Sequence, residues 1–299
     1  GMYPMDYEEF LWALGDQTTM KLLKSCFEGR KPVGEQINRR LMRDFRLYML
    51  VGGMPQAVDE YLQTNNFRKV DAVKRDILNL YEDDFRKIDP TGRISMLFDA
   101  IPAQLNKNAS RYQVSGVLEK ERANSVLELI AEMKDSKTVI AAYYADDPNA
   151  GMANHKDLAR FKLFLADTGL FVSLAFKDRD FTGNVIYEKL WNDKLGGNLG
   201  YLHENAVAQM LTAGGNELFY HTFLNEKTRR NHEVDFILSR KNKICPIEVK
   251  SSGYKTHASL DKFSEKYSGR ILEKYLVYTK DLQKDGDILM LPVYMVPFL

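Results

Sequence analysis

The chain has 299 residues, of which 44% are hydrophobic, and its 42 basic and 41 acidic side chains give a formal net charge of +1. This length and apolar content suit two or three domains with buried cores, and the near-zero charge excludes a global basic field that would attract nucleic acid. Two cysteines without metal-ligand spacing exclude a disulfide framework, and there is neither a signal peptide nor an apolar run of about 18 residues, so we expect a reduced cytoplasmic protein that does not contact a membrane.

Helices are predicted throughout residues 3–88. The first begins near Asp6, because Glu9 follows in a capping-box pattern and apolar side chains then recur at helical spacing. Further helices are predicted over residues 34–51, 55–63 and 66–84. Gly52, Gly53 and Pro55 separate two of them, since glycine frees the backbone and proline disfavours a helical residue before it. The charged residues of this region lie opposite the apolar ones and indicate solvated faces without visible chemistry.

Residues 89–180 are predicted to form a winged helix-turn-helix. Helices are predicted over residues 94–105, 113–120 and 122–133, and strands over 138–144 and 161–165. Three helices followed by a two-stranded ribbon is the order of that motif, whose recognition helix lies in a DNA groove. The exposed face of the third helix would carry Arg122, Asn124 and Glu128. The acidic residues of this helix favour the alternative, a winged helix that binds proteins.

A helix over residues 201–213 follows a glycine-rich segment, residues 183–200, which is predicted to be a linker. Glu204 shares a face of this helix with Val207, Ala208 and Leu211. A carboxylate among apolar side chains costs free energy unless it is paired, protonated or bound to a cation. Glu204 is therefore either a ligand of a metal or its water, or a helix-start carboxylate stabilised by the helix dipole. Strands are predicted over residues 217–224, 271–278 and 288–296, and a helix over 257–267.

A β-hairpin is predicted where two β-branched runs, residues 234–238 and 244–249, flank a polar turn at Lys241-Asn242. A turn centred there places Asp235 opposite Glu248 with about 5 Å between their Cβ atoms, which is repulsive unless a cation bridges them. Lys250 shares the face of Glu248 because side chains alternate along a strand. Two carboxylates suit Mg²⁺ or Mn²⁺, and the ammonium would orient a water and stabilise charge on a phosphate. The alternative is an exposed, salt-bridged sheet face.

Basic residues precede this hairpin. Lys227, Arg229 and Arg230 lie just before Asp235 in sequence and are predicted to bind phosphate oxygens without base specificity. A sheet edge guarded by lysines against aggregation is the competing interpretation. The five histidines show neither HxxxH nor HxH spacing, so no zinc site is predicted.

The phrase VDF, followed by IEVK and preceded by the helical glutamate of LHENAVAQML, resembles the PD-(D/E)xK nuclease superfamily, whose fold is that of restriction endonucleases. The resemblance implies that Glu204, Asp235, Glu248 and Lys250 are catalytic and that Asp235 and Glu248 hold the metal. The order helix, three strands, helix, strand also matches that α/β core. One departure is that no proline adjoins Asp235.

Four phrases together resemble the C-terminal region, a domain of unknown function of the DUF4143 type, of a bacterial and archaeal family of AAA-type ATPases. They are MDYEEFLWAL, VGGMPQAVDEYL, FKLFLADTGL and VDF with IEVK. No GxxxxGK[ST] phosphate loop occurs, so we expect no ATPase activity from this chain and ATP binding only through a missing N-terminal core. Gly1 is typical of a cloning remnant, which agrees with a missing upstream portion.

These patterns together predict an α+β multidomain protein. The predicted units are a helical region over residues 1–88, a winged-helix domain over 89–180, and a nuclease-like α/β domain with a mixed sheet over 181–299. The resemblances imply an accessory portion of an AAA-type ATPase that binds nucleic acid and hydrolyses phosphodiesters with a divalent metal. Two alternatives remain: a non-catalytic regulatory module that docks other protein subunits, and a winged-helix DNA binder whose carboxylates are structural.

Overall fold

The computed structural model describes residues 4–107, 109–118, 123–177, 184–192, 200–224 and 231–299. Within these residues the chain forms twelve α-helices and one mixed sheet of eight strands, which confirms the mixed helix-and-sheet class. No helix of this described part is long and apolar enough to cross a membrane.

Helices make up the N-terminal part of the chain, as predicted. They are α1 (Tyr7–Ala13), α2 (Thr19–Glu28), α3 (Glu35–Val51), α4 (Pro55–Thr64) and α5 (Phe67–Ile88). The capping box is confirmed, because the Glu9 N–H donates to Asp6 Oδ1 at 2.9 Å and the Asp6 N–H donates to Glu9 Oε2 at 3.0 Å. The helix α2 lies within the predicted helical region, but no separate bounds were predicted for it.

The predicted break after α3 is a site of close backbone contact. Gly52 has φ of +85°, a conformation that favours glycine, and a Cβ on Gly53 would lie 2.1 Å from the carbonyl oxygen of Met5. The Asp167 carboxylate accepts hydrogen bonds from the N–H groups of Gly53 at 2.6 Å and Leu170 at 2.7 Å. Asp167 thereby caps a helix that the sequence analysis did not predict, α9 (Thr168–Ala175), and joins it to the break.

A buried lysine connects four of the helices. Lys74 of α5 donates to the carbonyl oxygens of Leu50 at 2.8 Å and Gly169 at 3.0 Å and to the Tyr187 hydroxyl at 2.7 Å. Tyr187 belongs to α10 (Asn184–Trp191), within the segment predicted to be a linker. Burial lowers the pKa of Lys74 to about 8. Three acceptors satisfy the ammonium, so we interpret this lysine as structural.

The middle region differs from the prediction at one helix. Its helices are α6 (Arg93–Asp99), α7 (Ile101–Asn106) and α8 (Ala123–Asp135). The helix predicted over residues 113–120 is wrong within the described residues: only a short 3₁₀ turn, Val114–Gly116, forms there. The Tyr112 N–H instead donates to the Phe161 carbonyl at 2.7 Å, which holds the segment against a strand, and Gly116 is a weak helix former.

All strands of the described residues belong to a single sheet in the order β2-β1-β3-β4-β5-β6-β8-β7. They are β1 (Val139–Ala145), β2 (Lys156–Leu165), β3 (Leu218–Leu224), β4 (Asn231–Arg240), β5 (Lys243–Val249), β6 (Lys274–Tyr278), β7 (Gln283–Asp285) and β8 (Ile288–Pro292). The β1 strand pairs antiparallel with β2, as predicted, but also pairs parallel with β3. The expected ribbon is therefore the edge of the common sheet. The division into three domains stays a prediction, and the sheet crosses its boundary at residue 180.

The C-terminal part follows the predicted order of helix, three strands, helix and strand. The helices are α11 (Gly200–Ala213) and α12 (Ala258–Tyr267), and α11 lies across the sheet with contacts to β1, β2, β3 and β5. The last predicted strand is too long: β8 ends at Pro292 and Val293–Phe298 form a 3₁₀ helix. Proline lacks the N–H that would continue a strand ladder, which explains this end.

Candidate active site

A polar cavity of about 430 Å³ lies at the sheet face that α11 crosses. Five charged side chains line it: Glu204 of α11, Glu233 and Asp235 of β4, Glu248 of β5 and Lys162 of β2. Three of the four predicted catalytic residues thus meet in one place. We call Glu204, Asp235 and Glu248 the cavity carboxylates.

The hairpin register explains why two of the cavity carboxylates are neighbours. Five antiparallel pairs, from Phe236 with Ile247 to Arg240 with Lys243, have the predicted register, and its continuation puts Asp235 across from Glu248. The turn begins at Lys241, whose φ is +55°. Asp235 Oδ2 also accepts a hydrogen bond from the Val249 N–H at 2.7 Å, which anchors this carboxylate against β5.

Glu248 holds an unsatisfied buried oxygen. The Glu248 residue is 8% exposed, and its Oε1 lies 3.2 Å from Lys250 Nζ. Its Oε2 is buried without a hydrogen-bond partner among the described residues. Burial raises the pKa of Glu248, and the Lys250 ammonium, the Leu260 N–H and the charge of His257 oppose that rise. A buried acceptor without a partner costs about 1–3 kcal/mol or more when it is charged. A cation in the cavity would satisfy this oxygen.

Lys250 adjoins the cavity through Glu248. Besides its contact with that carboxylate, its ammonium donates to the Thr256 carbonyl oxygen in the loop before α12. The lysine is therefore on the predicted face, next to the second acid of the hairpin. Its present partners hold it at the Glu248 side of the site.

The electrostatics of the cavity favour protonated acids or a bound cation. Burial raises the pKa of Asp235 well above its ordinary value, and the Glu204 carboxylate adds to the rise. Burial and the Glu233 charge likewise raise the pKa of Glu204, while the Lys162 ammonium lowers both values. Since repulsion between carboxylates disfavours their ionised forms, a cation that binds there replaces protons.

Two residues of the cavity were missed by the sequence analysis. Lys162 is 6% exposed and forms an ion pair with Glu233. It stands opposite Ala142 in the β1–β2 register, and its ammonium lies 5.4 Å from the centre of the Tyr220 ring on β3. The sequence pattern that could have identified Lys162 is a single lysine within the otherwise apolar end of a predicted strand. Glu233 precedes Asp235 by two residues, so alternation puts both on one face.

Buried amides on α11 fix the position of Glu204. The neighbouring Asn205 accepts from the Leu165 N–H at 2.8 Å and donates to the Leu165 carbonyl at 3.1 Å. One turn further, Gln209 accepts from the Thr168 N–H at 2.9 Å and donates to the Tyr48 hydroxyl at 2.9 Å. These bonds join α11 to the end of β2 and the start of α9. Neither amide was predicted from the sequence to contribute to the site.

The Asp235 and Glu248 end of the cavity offers the kind of donors that a hard divalent cation takes. These donors are carboxylate oxygens, and Oε2 of Glu248 accepts no hydrogen bond from the described residues. Across the described ranges, no three acidic, histidine or cysteine side chains are already grouped as a complete ligand set. Mg²⁺ keeps several waters and takes one or two carboxylates, so the hairpin pair alone suffices for it.

The predicted nucleic-acid contacts lie outside the described residues. Lys227, Arg229, Arg230 and Arg122 are not described, and neither is the side chain of Asn124, which belongs to α8. Glu128 of α8 is exposed, as predicted. The five contacts stay predictions.

Comparison with known proteins identifies two domains of unknown function. Residues 42–180 match the family model described as Domain of unknown function (DUF8612), and residues 199–296 match Domain of unknown function (DUF4143). The DUF4143 part of the predicted resemblance is thereby confirmed. Lys162 lies in the first matched region and the cavity carboxylates lie in the second, so both regions build the cavity.

No curated protein shows a significant match. A solved structure described as protein VC1899 from Vibrio cholerae is 12% identical, with a TM-score of 0.24 over 76% of this chain and 53% of that protein. The chain thus spans about half the length of that protein. A similarity at this TM-score supports no conclusion about fold or function.

Proposed function

We propose that this chain is the accessory portion of an AAA-type ATPase and that its cavity is a metal-dependent site for hydrolysing phosphodiesters of nucleic acid. The observation that supports it most is the buried, unpartnered Oε2 of Glu248 in a cavity that also receives Asp235 and Glu204. Lys250 stands beside Glu248 at 3.2 Å. This set agrees with the nuclease resemblance of the sequence and with the helix-strand order of the C-terminal part.

The roles of the residues follow from their contacts. Asp235 and Glu248 would hold Mg²⁺ or Mn²⁺, and the bond from the Val249 N–H fixes one Asp235 oxygen so that the carboxylate keeps its direction. A bound divalent ion lowers the pKa of a coordinated water and polarises a phosphate. Glu204, with its raised pKa, would accept a proton from an attacking water on the helix side of the cavity. Lys250 would stabilise negative charge that develops on the phosphate.

Substrate binding is assigned to the basic residues of the sequence. Asn231 lines the cavity as the first residue of β4, and Arg230, Arg229 and Lys227 directly precede it in sequence. These cations would bind phosphate oxygens without reading bases. Arg122 and Asn124 would add further phosphate contacts.

The ATPase assignment depends on the DUF4143 match at residues 199–296 and on the phrases that resemble an ATPase C-terminal region. A motor upstream would bind ATP, since this chain lacks a phosphate loop. The motor would then control access of nucleic acid to the cavity.

A non-catalytic docking module is the second candidate, and one observation favours it. The Lys162 ammonium already pairs with Glu233 and lowers the pKa values of Glu204 and Asp235. This internal cation reduces the repulsion among the acids without a metal. In that case the fold would be retained for binding protein subunits.

A cleavage assay distinguishes the two candidates. Single- and double-stranded DNA and RNA are incubated with the chain and Mg²⁺ or Mn²⁺, in parallel with Glu248→Gln and the exposed control Glu265→Gln, after circular dichroism has confirmed folding. We expect cleavage by the parent and the control and none by Glu248→Gln. Absence of cleavage by the parent with every substrate, or equal cleavage by Glu248→Gln, would refute the hydrolytic site.

A further inference from the structure

The position of Lys162 has a consequence for how many metal ions the cavity takes. The side chain extends along the sheet face from the edge strand β2, where its register partner on β1 is the small Ala142. Its ammonium reaches the Tyr220 ring and pairs with Glu233. The strand β1 lies between β2 and β3, and the small Ala142 side chain on it does not block the sheet face. The Lys162 ammonium therefore extends from the edge strand to a carboxylate of β4.

The charges of the cavity balance with one divalent ion. Four carboxylates line it, namely those of Glu204, Glu233, Asp235 and Glu248. Two ammonium groups contact them, Lys162 at Glu233 and Lys250 at Glu248. Once a bound cation has displaced the protons of these acids, four negative charges less two positive charges leave two, the charge of a single Mg²⁺ or Mn²⁺. A second divalent ion would leave the buried cluster with an excess of two positive charges.

The two ends of the cavity differ in whether their carboxylate oxygens already have a partner. At the hairpin end, Glu248 Oε2 is buried without a partner among the described side chains. At the β2 end, Glu233 already has Lys162, and the same ammonium stabilises the ionised forms of Glu204 and Asp235. Paired metal ions in phosphodiesterases lie about 4 Å apart and share a carboxylate. Here a second ion bound to Glu233 would lie beside the Lys162 ammonium, which is already paired with that carboxylate.

We propose that Lys162 replaces a second metal ion, so that the cavity binds a single divalent cation between Asp235 and Glu248. The inference rests on the metal site of the proposed function and defines its stoichiometry. Lys162 acts as a positioning residue, because it pairs with Glu233 and lowers the pKa of Glu204 without contacting the substrate. Since Lys162 lies in the region of residues 42–180, the site in residues 199–296 needs that region to be complete.

The test counts Mn²⁺ bound to the full chain by equilibrium dialysis, with Mn²⁺ alone as the probe. We expect about one ion per chain for the parent and about two for Lys162→Met, since four carboxylates then face one ammonium and can bridge two ions. Lys162→Arg keeps the charge and should stay near one. Lys156→Met is the matched control on the same strand, where the lysine pairs with Glu217 outside the cavity, and it should also stay near one.

A second measurement needs no variant and covers the case in which Lys162→Met fails to fold. The electron paramagnetic resonance spectrum of the Mn²⁺-saturated parent should show the resolved hyperfine pattern of an isolated ion, without spin coupling. Coupled spins, two ions in the parent, or one ion in folded Lys162→Met would each overturn the inference. Absence of bound Mn²⁺ would overturn both the inference and the metal site. One bound ion without any cleavage would refute the hydrolytic function and leave the inference standing.

Discussion

Replacing Asn205 by leucine tests how α11 is held over the cavity. Asn205 is fully buried, and its amide makes bonds to both backbone groups of Leu165 and a third, at 3.1 Å, to the Thr168 hydroxyl. Leucine has a similar size but no polar atoms, so the Leu165 N–H and C=O lose their partners. Each buried unpaired group costs about 1–3 kcal/mol.

The leucine side chain recovers part of this cost, because apolar burial contributes about 25 cal/mol per Å². We therefore expect the free energy of unfolding to fall by about 2–3 kcal/mol, which corresponds to a urea midpoint lower by roughly 1 M for a chain of this size. Urea unfolding followed by circular dichroism measures it. The matched control is Asn106→Leu, at an exposed position at the end of α7, and its midpoint should not move.

An unchanged midpoint for Asn205→Leu would refute the reasoning that these amide bonds hold α11 to β2. A lower midpoint with full Mn²⁺ affinity would show that α11 contributes to stability without positioning the metal site. We expect the urea midpoint and the Mn²⁺ affinity both to fall, because the helix that carries Glu204 shifts when its anchor is lost.

Two further predictions concern pH and packing. The pKa values of the cavity carboxylates are raised in the folded chain, so the native state binds more protons than the unfolded state. The stability of the metal-free protein therefore falls as the pH rises above the ordinary carboxyl range. Melting temperatures measured from pH 4 to 7 should show this fall, and saturating Mn²⁺ should make the fall smaller. Gly53→Ala should lower the melting temperature by several degrees, because its Cβ would overlap the Met5 carbonyl, whereas Gly269→Ala, with nothing within 4 Å, should change it little. Equal melting temperatures for the two alanine variants would contradict the packing at Gly53, and a metal-free stability that rises with pH would contradict the carboxylate argument.

The hairpin could be predicted because its signals are local. Alternation of apolar residues and a polar turn at Lys241 fix the register, and the register alone sets Asp235 against Glu248. The α11 helix was predicted from helical spacing in the same way. Glu204 then follows as a carboxylate on the apolar face of this helix, and the structure places it in the cavity. Its role as a ligand of a metal or of its water stays a prediction.

The Lys162 contact could not be predicted because it depends on long-range pairing. The lysine reaches β4 only because β1 pairs parallel with β3, in a register that joins Ala142 to Leu218. No local pattern specifies which distant strands become neighbours. The ribbon of β1 and β2 was predicted as a pair, but its attachment to the sheet was not, and the short 3₁₀ turn at Val114–Gly116 shows that tertiary contacts can override a helical pattern.

The joint construction of the cavity bears on how the two matched regions are related. The DUF8612 match ends at residue 180 and the DUF4143 match begins at residue 199, yet the strands of the two matched regions share one sheet and their charged side chains share one cavity. Lys162 and Asn205 make contacts across this boundary. Separate expression of residues 199–296 would therefore expose the sheet face and remove the Lys162 charge from the acids.

The most direct measurement is the position of Mn²⁺ in crystals of the full chain, located by its anomalous scattering. Our account predicts one peak in the cavity, at coordination distance from a carboxylate oxygen of Asp235 and from Oε2 of Glu248, and no peak in Glu248→Gln crystals grown in parallel. An empty cavity at saturating Mn²⁺, or a peak that persists without the Glu248 carboxylate, would contradict the central claim that this is a metal-dependent site.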